Sequence, residues 1–424
     1  MRLKALIKDS YTALAEKATQ GQACWAAFRL ARGLRLFAEL LIPQRFFRTT
    51  VAVADPANGR RASFTVWGNK SGVWYLSRCF ERSGLAVHET GDSQMTSTPP
   101  SIKFVWHNCA VSWKFRQNGW LVLPGQVRSQ VDLSRGMDAV RARFLRSAKT
   151  AVRSITRQGL VYHIVPCDEI LRRFYDEMYL PYREVRFAGN PIVKDFESVR
   201  RFAKGSVMLA VTDSRAKPPP KLEDMLGALI IRQNGKSATA DLPGLNGDPL
   251  VALERGVVEA LYYFSLEWCS SRGVERLDLG QSHPFLDDGI LRFKTKWGAT
   301  VEATQAGVHN LAVRFVDNGW LGRHFLANHP PIVYCSHKPP TADRKLPTPG
   351  LIGVARLPAG ELSYRGLRRL WRSRMINGLR ELLIVSDPDS PDESQRLAAQ
   401  FPGVRILPCY DLRYLAEAVN SLSR

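Results

Sequence analysis

Arg276-Leu277-Asp278-Leu279-Gly280-Gln281-Ser282-His283-Pro284 and, after four intervening residues, Gly289-Ile290-Leu291-Arg292-Phe293-Lys294-Thr295-Lys296-Trp297-Gly298 form the most informative part of the chain. Leu277 and Leu279 alternate with Asp278, which predicts a buried strand that breaks at Gly280 into a polar loop. The second stretch reads as another strand, with Arg292, Lys294 and Lys296 on one face by a period of two. Three cations on one face form an anion or oxyanion site. An exposed edge strand kept soluble by its lysines has the same pattern, so the alternation alone does not choose between the two.

Working outward, Leu253, Val257, Leu261, Phe264 and Trp268 recur in steps of four and three, predicting a helix closed by Arg272-Gly273. Strands are expected before it at 206–213, 226–232 and 237–245. The three prolines of Lys217-Pro218-Pro219-Pro220-Lys221 hold a loop between the first two. Further upstream, Val131-Asp132-Leu133-Ser134 offers an N-cap signal for a basic helix over 137–159, and a second helical stretch covers 168–186. Short apolar runs at Ser63–Trp67, Gly72–Leu76, Phe104–Trp106 and Trp120–Leu123 read as strands, and 92–101 as a loop. Residues 11–42 carry Trp25, Phe28, Leu34 and Phe37 at helical spacing with arginines between them, a basic amphipathic helix that either packs on the next domain or lies on an anionic membrane. Beyond the prolines at 330–349, strands at 351–356, 381–386 and 404–408 alternate with helices at 364–379, 392–400 and 411–421. That alternation predicts a small α/β unit with parallel strands.

Asp278-Leu279-Gly280, a short loop and Arg292-Phe293-Lys294-x-x-Trp297-Gly298 resemble the end of the catalytic domain of Fem-type transferases and related GNAT acyltransferases. The helix at 253–268 and the Asp132-Leu133-Ser134 segment with its basic helix are similar to the same family, so the resemblance spans roughly residues 130 to 300. It implies an α+β fold: a GNAT-like mixed sheet flanked by helices, in two GNAT-like lobes, plus the small C-terminal α/β module. The expected divisions are an N-terminal helical segment (1–46), a strand-rich lobe with the basic helix (47–165), a catalytic lobe (166–310), a Pro-rich junction (311–350) and the α/β module (351–424).

The activity the resemblance implies is transfer of an acetyl, other acyl or aminoacyl group to an amine or hydroxyl of a cell-envelope or polysaccharide precursor. Lys294 would polarise the reacting acyl group, since a fixed ammonium stabilises charge that appears only in the transition state. Phe293 would shape the pocket wall, with Arg292, Lys296, Trp297, Gly280, Gln281 and Ser282 around the substrate and Tyr182 and Arg186 on the acceptor side. Three residues compete as general base: His283, whose ordinary pKa suits the task, and Asp278 and Asp241 near strand ends. Each has a bland alternative, as a turn histidine or a loop-capping carboxylate.

The donor stays open between acyl-CoA, acetyl-CoA first, and aminoacyl-tRNA. The Gly247-to-Gly256 segment lacks the glycine-rich loop with which CoA-using relatives cradle a pyrophosphate at a helix N-terminus. No metal is expected, because His324 and His329 lack the spacing of a zinc helix, and Walker, nucleophile-elbow and dinucleotide fingerprints are absent.

Composition adds the partner class. Sixty Lys and Arg against 39 Asp and Glu give a formal charge of +21 over 424 residues, which favours anionic partners: a lipid-linked or small anionic acceptor, tRNA, or the inner face of a membrane. A non-catalytic module that binds RNA or anionic lipid is the rival reading. Arg141 to Arg157 and the run Arg365, Arg368, Arg369, Arg372 and Arg374 are candidate contacts, or simply solvated faces. Seven scattered cysteines without a Cys-x-x-Cys pair fit a reducing compartment. With neither a leader pattern nor a membrane-length apolar run, the expected location is the cytoplasm.

Overall fold

The computed structural model describes residues 47–90, 99–186, 193–216, 218–304, 309–335, 350–357, 362–386, 396–408 and 411–421. The helix expected at 11–42, most of the 92–101 loop, the prolines at 339–349 and the start of the helix at 392–400 lie outside the described residues. Two compact units partition the chain: Arg128–Gly280 with Phe293–Thr300, and the described parts of Met1–Val127, Gln281–Arg292 and Val301–Arg424. Both are built from sheets flanked by helices, the mixed α and β architecture that the sequence implies.

The first of these units, here the central unit, is organised on neighbouring strands in the order Val127–Asp132, Arg276–Ser282, Ser237–Leu245, Gly227–Asn234, Val207–Asp213 and Leu160–Pro166. Four consecutive pairs of this series run from Leu160–Pro166 to Arg276–Ser282. Three are antiparallel, and the pair of Ser237–Leu245 with Arg276–Ser282 is parallel. A parallel pair needs a crossover, and the helix Val257–Ser271 supplies it. That helix buries residues all around its circumference, among them Leu261, Tyr262, Phe264 and Leu266, so it is a core helix between packed surfaces. It begins at Gly256, whose φ of +71° only glycine adopts without strain, directly after the short helix Pro249–Glu254. Trp297, fully buried, meets Phe144 edge-on at 5.3 Å and closes the same core.

The flanking unit carries two sheets. One has six strands in the order Ala86–Thr90, Phe47–Ala54, Arg61–Gly68, Ile102–Asn108, His309–Phe315 and Leu121–Pro124. The other has four: Ile332–Tyr334 antiparallel to Leu351–Arg356, then Leu379–Ser386 and Val404–Pro408 in parallel. The parallel α/β pattern expected after the prolines is therefore present, with one antiparallel strand added at its edge.

Several elements depart from the sequence reading. Gly72–Leu76 is part of a helix, Lys70–Arg82, because Asn69 caps it by accepting from the Gly72 N–H at 2.8 Å, and Tyr75, Leu76, Cys79 and Phe80 form one buried helical stripe. The single helix expected over 137–159 is two, Gly136–Ala142 and Arg146–Arg157. The stretch over 168–186 contains a π-helical segment, Phe174–Tyr179, between Leu171–Arg173 and Leu180–Arg186. The largest correction falls on Gly289–Thr295, which is helix and not strand. Asp288 starts it: its Oδ1 accepts from the Leu291 N–H at 2.8 Å and its carbonyl from the Arg292 N–H. On a helix, residues two apart point to opposite sides, so Arg292 and Lys294 do not share a face, and Lys296 lies beyond the helix end.

Candidate active site

The strands Ser237–Leu245 and Arg276–Ser282 set the site. They pair only from Ser237 opposite Arg276 to Thr239 opposite Asp278. Leu277 and Leu279 are buried on one face, as are Ala238 and Ala240 on the neighbouring strand, all in one core cluster. Strand alternation therefore puts Asp278 on the opposite face, beside Thr239 and Asp241. Just beyond Asp241 the register with Gly227–Asn234 shifts, and Leu242 takes a φ of +62°, a conformation a branched apolar residue rarely adopts. The bulge aims the Leu242 N–H at Asp241 Oδ1, 2.8 Å away, and so fixes that carboxylate.

Lys294 comes to these two carboxylates from the short helix. It is 4% exposed, a very low value for a residue that is almost never buried without a partner, and its charge acts on both Asp241 and Asp278. Gly280, with φ +82°, lies against it: a Cβ at that position would stand 3.5 Å from Lys294 Nζ. The glycine is required by its backbone conformation and sets no side chain against the ammonium there.

The environments drive the two carboxyls apart. Burial pushes Asp278 above the usual carboxylate range, against the pull of Arg128, the Gly280 N–H and Lys294. Its Oδ2 lies 3.1 Å from Arg128 Nε, and its Oδ1 accepts from the Gly280 N–H at 2.8 Å. Burial also raises Asp241, but the Lys194 ammonium, 2.6 Å from Oδ2, the Leu242 N–H and Lys294 together hold it below the ordinary value. A pair of acids shifted in opposite directions around one buried cation is a pattern of acid–base sites.

Aromatic rings wall the cluster. Tyr262, on the core helix, feels both Asp241 and Asp278, and burial followed by these charges raises its hydroxyl pKa. Phe293 meets Tyr262 edge-on at 5.0 Å. Tyr182 is buried and sits within electrostatic reach of Tyr262. Lys296 points elsewhere: its Nζ pairs with Glu259 Oε1 at 3.1 Å and lies 4.1 Å from the Phe293 ring centroid. Trp297 is core. Arg186 is exposed at the end of its helix.

The remaining candidates belong to the flanking unit. Gln281 is exposed and Ser282 buried. Arg292 lines an arginine cleft with the helix Tyr364–Arg374. His283 stacks on Tyr75 with ring centroids 3.5 Å apart, and burial, with Arg82, pulls its pKa down to about 4. At neutral pH it is an uncharged ring.

Sequence reasoning did not find Arg128, Lys194 or Tyr262. Arg128 and Lys194 reach their carboxylates from 150 and 47 residues away along the chain. Tyr262 was visible only as one more residue of an apolar helix, although a phenol on a core helix needs a polar neighbour and could have been flagged on that ground.

The residues also bear on the donor. At the start of the helix Pro249–Glu254, Asp248 accepts from the Leu250 N–H at 2.8 Å, so a carboxylate occupies that amide. Among the described residues no group of three or more His, Cys, Asp or Glu is placed to hold a metal ion, and no helix is long and apolar enough to cross a membrane.

No protein-family model and no curated protein matches the chain. Solved structures similar to it include FemX (9% identity, 62% of this chain and 88% of the other, TM-score 0.34). The C-terminal domain of a proposed lysylphosphatidylglycerol synthetase from Agrobacterium fabrum is another (13% identity, 73% and 92%, TM-score 0.32). A GCN5-related N-acetyltransferase from Sphaerobacter thermophilus is a third (12% identity, 67% and 85%, TM-score 0.27). Similarity at this level leaves the function to the chain's own residues.

Proposed function

We propose that the chain is an acyl- or aminoacyl-transferase in which Lys294 polarises the acyl carbonyl and Asp278 takes the proton of the attacking group. The observation that carries this reading is the buried Lys294 ammonium set against Asp241 and Asp278, whose pKa values are driven in opposite directions. The nucleophile's lone pair forms the new bond to the acyl carbon while the carbonyl π electrons move to oxygen beside Lys294. The amine or hydroxyl proton passes to the Asp278 carboxylate, and collapse of the oxyanion breaks the bond to the donor's leaving atom, which departs with the bonding pair and takes that proton from Asp278. Asp241, held ionised by Lys194, keeps the ammonium charged and aimed. A fixed ammonium at the developing oxyanion stabilises the transition state more than the ground state, the condition for a higher rate.

The occupied Leu250 amide favours an aminoacyl ester, as on a charged tRNA, over acyl-CoA as donor. An envelope or polysaccharide precursor bearing an amine or hydroxyl is the acceptor that the family resemblance suggests. The test is an assay of the purified protein with a charged tRNA pool and, separately, acetyl-CoA, each supplied with a cell-envelope precursor extract. The expected result is acceptor-dependent loss of the aminoacyl group from tRNA with a matching mass gain in the extract. Acyl transfer from acetyl-CoA alone would overturn the choice of donor. Donor turnover from neither source would overturn the proposal.

A further inference from the structure

The helix Tyr364–Arg374 divides into two faces. Leu367 is fully buried, and Leu370 and Trp371 pack into the core of the flanking unit, with the Trp371 ring 6.1 Å from Phe401 and its Nε1 donating to the Pro402 carbonyl at 3.2 Å. Arg365, Arg368, Arg369 and Arg372 follow steps of three, one and three, which on a helix gathers them within an arc of roughly 100° on the opposite face. All four are exposed, and the helix contains no acidic residue.

These four side chains, Ser373 and Arg292 line an open cleft of about 480 Å³. Arg292 arrives from a segment more than 70 residues earlier in the chain, so the convergence is tertiary and not only a helix periodicity. The described residues of the lining include no carboxylate. Each guanidinium presents a planar fork that matches two oxygens of a phosphoryl group. Two or three forks saturate one phosphate. Forks spread over the ~10 Å that separate Arg365 from Arg372 along the axis match two linked phosphoryl groups.

We propose that this cleft is a binding site for a diphosphate group carried by a small molecule, either a nucleotide or a lipid-linked precursor. It is built within the flanking unit and does not depend on the transferase reading.

The test is titration calorimetry of the full chain with inorganic pyrophosphate and with orthophosphate at physiological ionic strength, repeated on the double variant Arg368→Gln/Arg372→Gln. Pyrophosphate is expected to bind about tenfold tighter than orthophosphate, and the double variant to weaken it about tenfold while unfolding at an unchanged temperature. The variant Arg368→Lys/Arg372→Lys, which keeps the charge and loses the forks, should fall between the two. Equal binding of both anions, equal binding by wild type and the glutamine variant, or no binding would each overturn the site. Competition of pyrophosphate by a nucleoside diphosphate or by vesicles containing a diphosphate lipid identifies the carrier and supports the proposal. A short single-stranded RNA that binds through these arginines while pyrophosphate does not would replace it with a nucleic-acid surface.

Discussion

Each unit of the molecule buries an acid beside a base, and the two arrangements differ in what they leave to react. In the central unit, Lys294 faces Asp241 and Asp278, one carboxyl is pushed up and the other held down, and the neighbour at Gly280 carries no side chain. In the flanking unit, His329 Nδ1 lies 2.8 Å from Asp287 Oδ2, with the His329 side chain 4% exposed and packed against Phe80 and Phe325, while the nearby His283 is neutral and stacked on Tyr75. The contrast teaches that burial alone does not make a reactive site. What distinguishes the central cluster is one buried ammonium shared by two carboxylates.

The comparison can be broken or sharpened by substitution. Asp278→Asn removes the proton acceptor while keeping shape, and turnover is expected to fall about 10²- to 10⁴-fold in a steady-state assay of aminoacyl transfer. The wild-type rate should rise with pH through the raised Asp278 pKa, because only the ionised carboxyl accepts a proton, and the variant should lose that limb. The same shift has a stability sign. A carboxyl with a raised folded pKa binds more protons folded than unfolded, so its contribution is present below the unfolded value and is lost as pH rises through the folded one. Asp278→Asn should therefore flatten the fall in denaturant midpoint across that window. Asp241 acts oppositely, contributing stability above the ordinary carboxylate range that is lost as pH falls through its lowered pKa.

Smaller effects are expected elsewhere. His329→Leu leaves a largely buried Asp287 oxygen without its partner and should cost about 1–3 kcal/mol in chemical denaturation, with turnover unchanged. Gly280→Ala places a side chain at φ +82° and should cost roughly 1–2 kcal/mol, with a loss of rate from the new methyl beside Lys294. His283→Phe keeps a ring on Tyr75 and should leave turnover within about twofold, since a histidine titrating near 4 is a poor base at neutral pH. A collapse of activity in His283→Phe equal to that of Asp278→Asn would erase the distinction between the two clusters.

Much of this was legible in the chain. The strand, helix, strand order around Leu253–Leu279 follows from periodicity, and Lys294 stands out by its position between Phe293 and Trp297. The geometry that brings Lys294 to the carboxylates was misread, because a Lys-x-Lys alternation imitates a strand while the deciding contact, the Asp288 cap, is local and easily passed over. Gly72–Leu76 failed for the same reason at Asn69. Arg128 and Lys194 were not legible at all, since their meaning comes only from partners far along the chain. The cleft beside Arg365 and Arg372 was half legible: the helical spacing of the arginines is in the sequence, but the arrival of Arg292 is not.

The central claim, that Lys294 polarises the reacting carbonyl, is tested most directly by single-turnover transfer with Lys294→Met beside the wild type. The account predicts a fall of about 10²- to 10³-fold in the chemical step, with donor affinity and far-UV circular dichroism unchanged. A variant that transfers at the wild-type rate, or that loses donor binding while the chemical step keeps its rate, would contradict it.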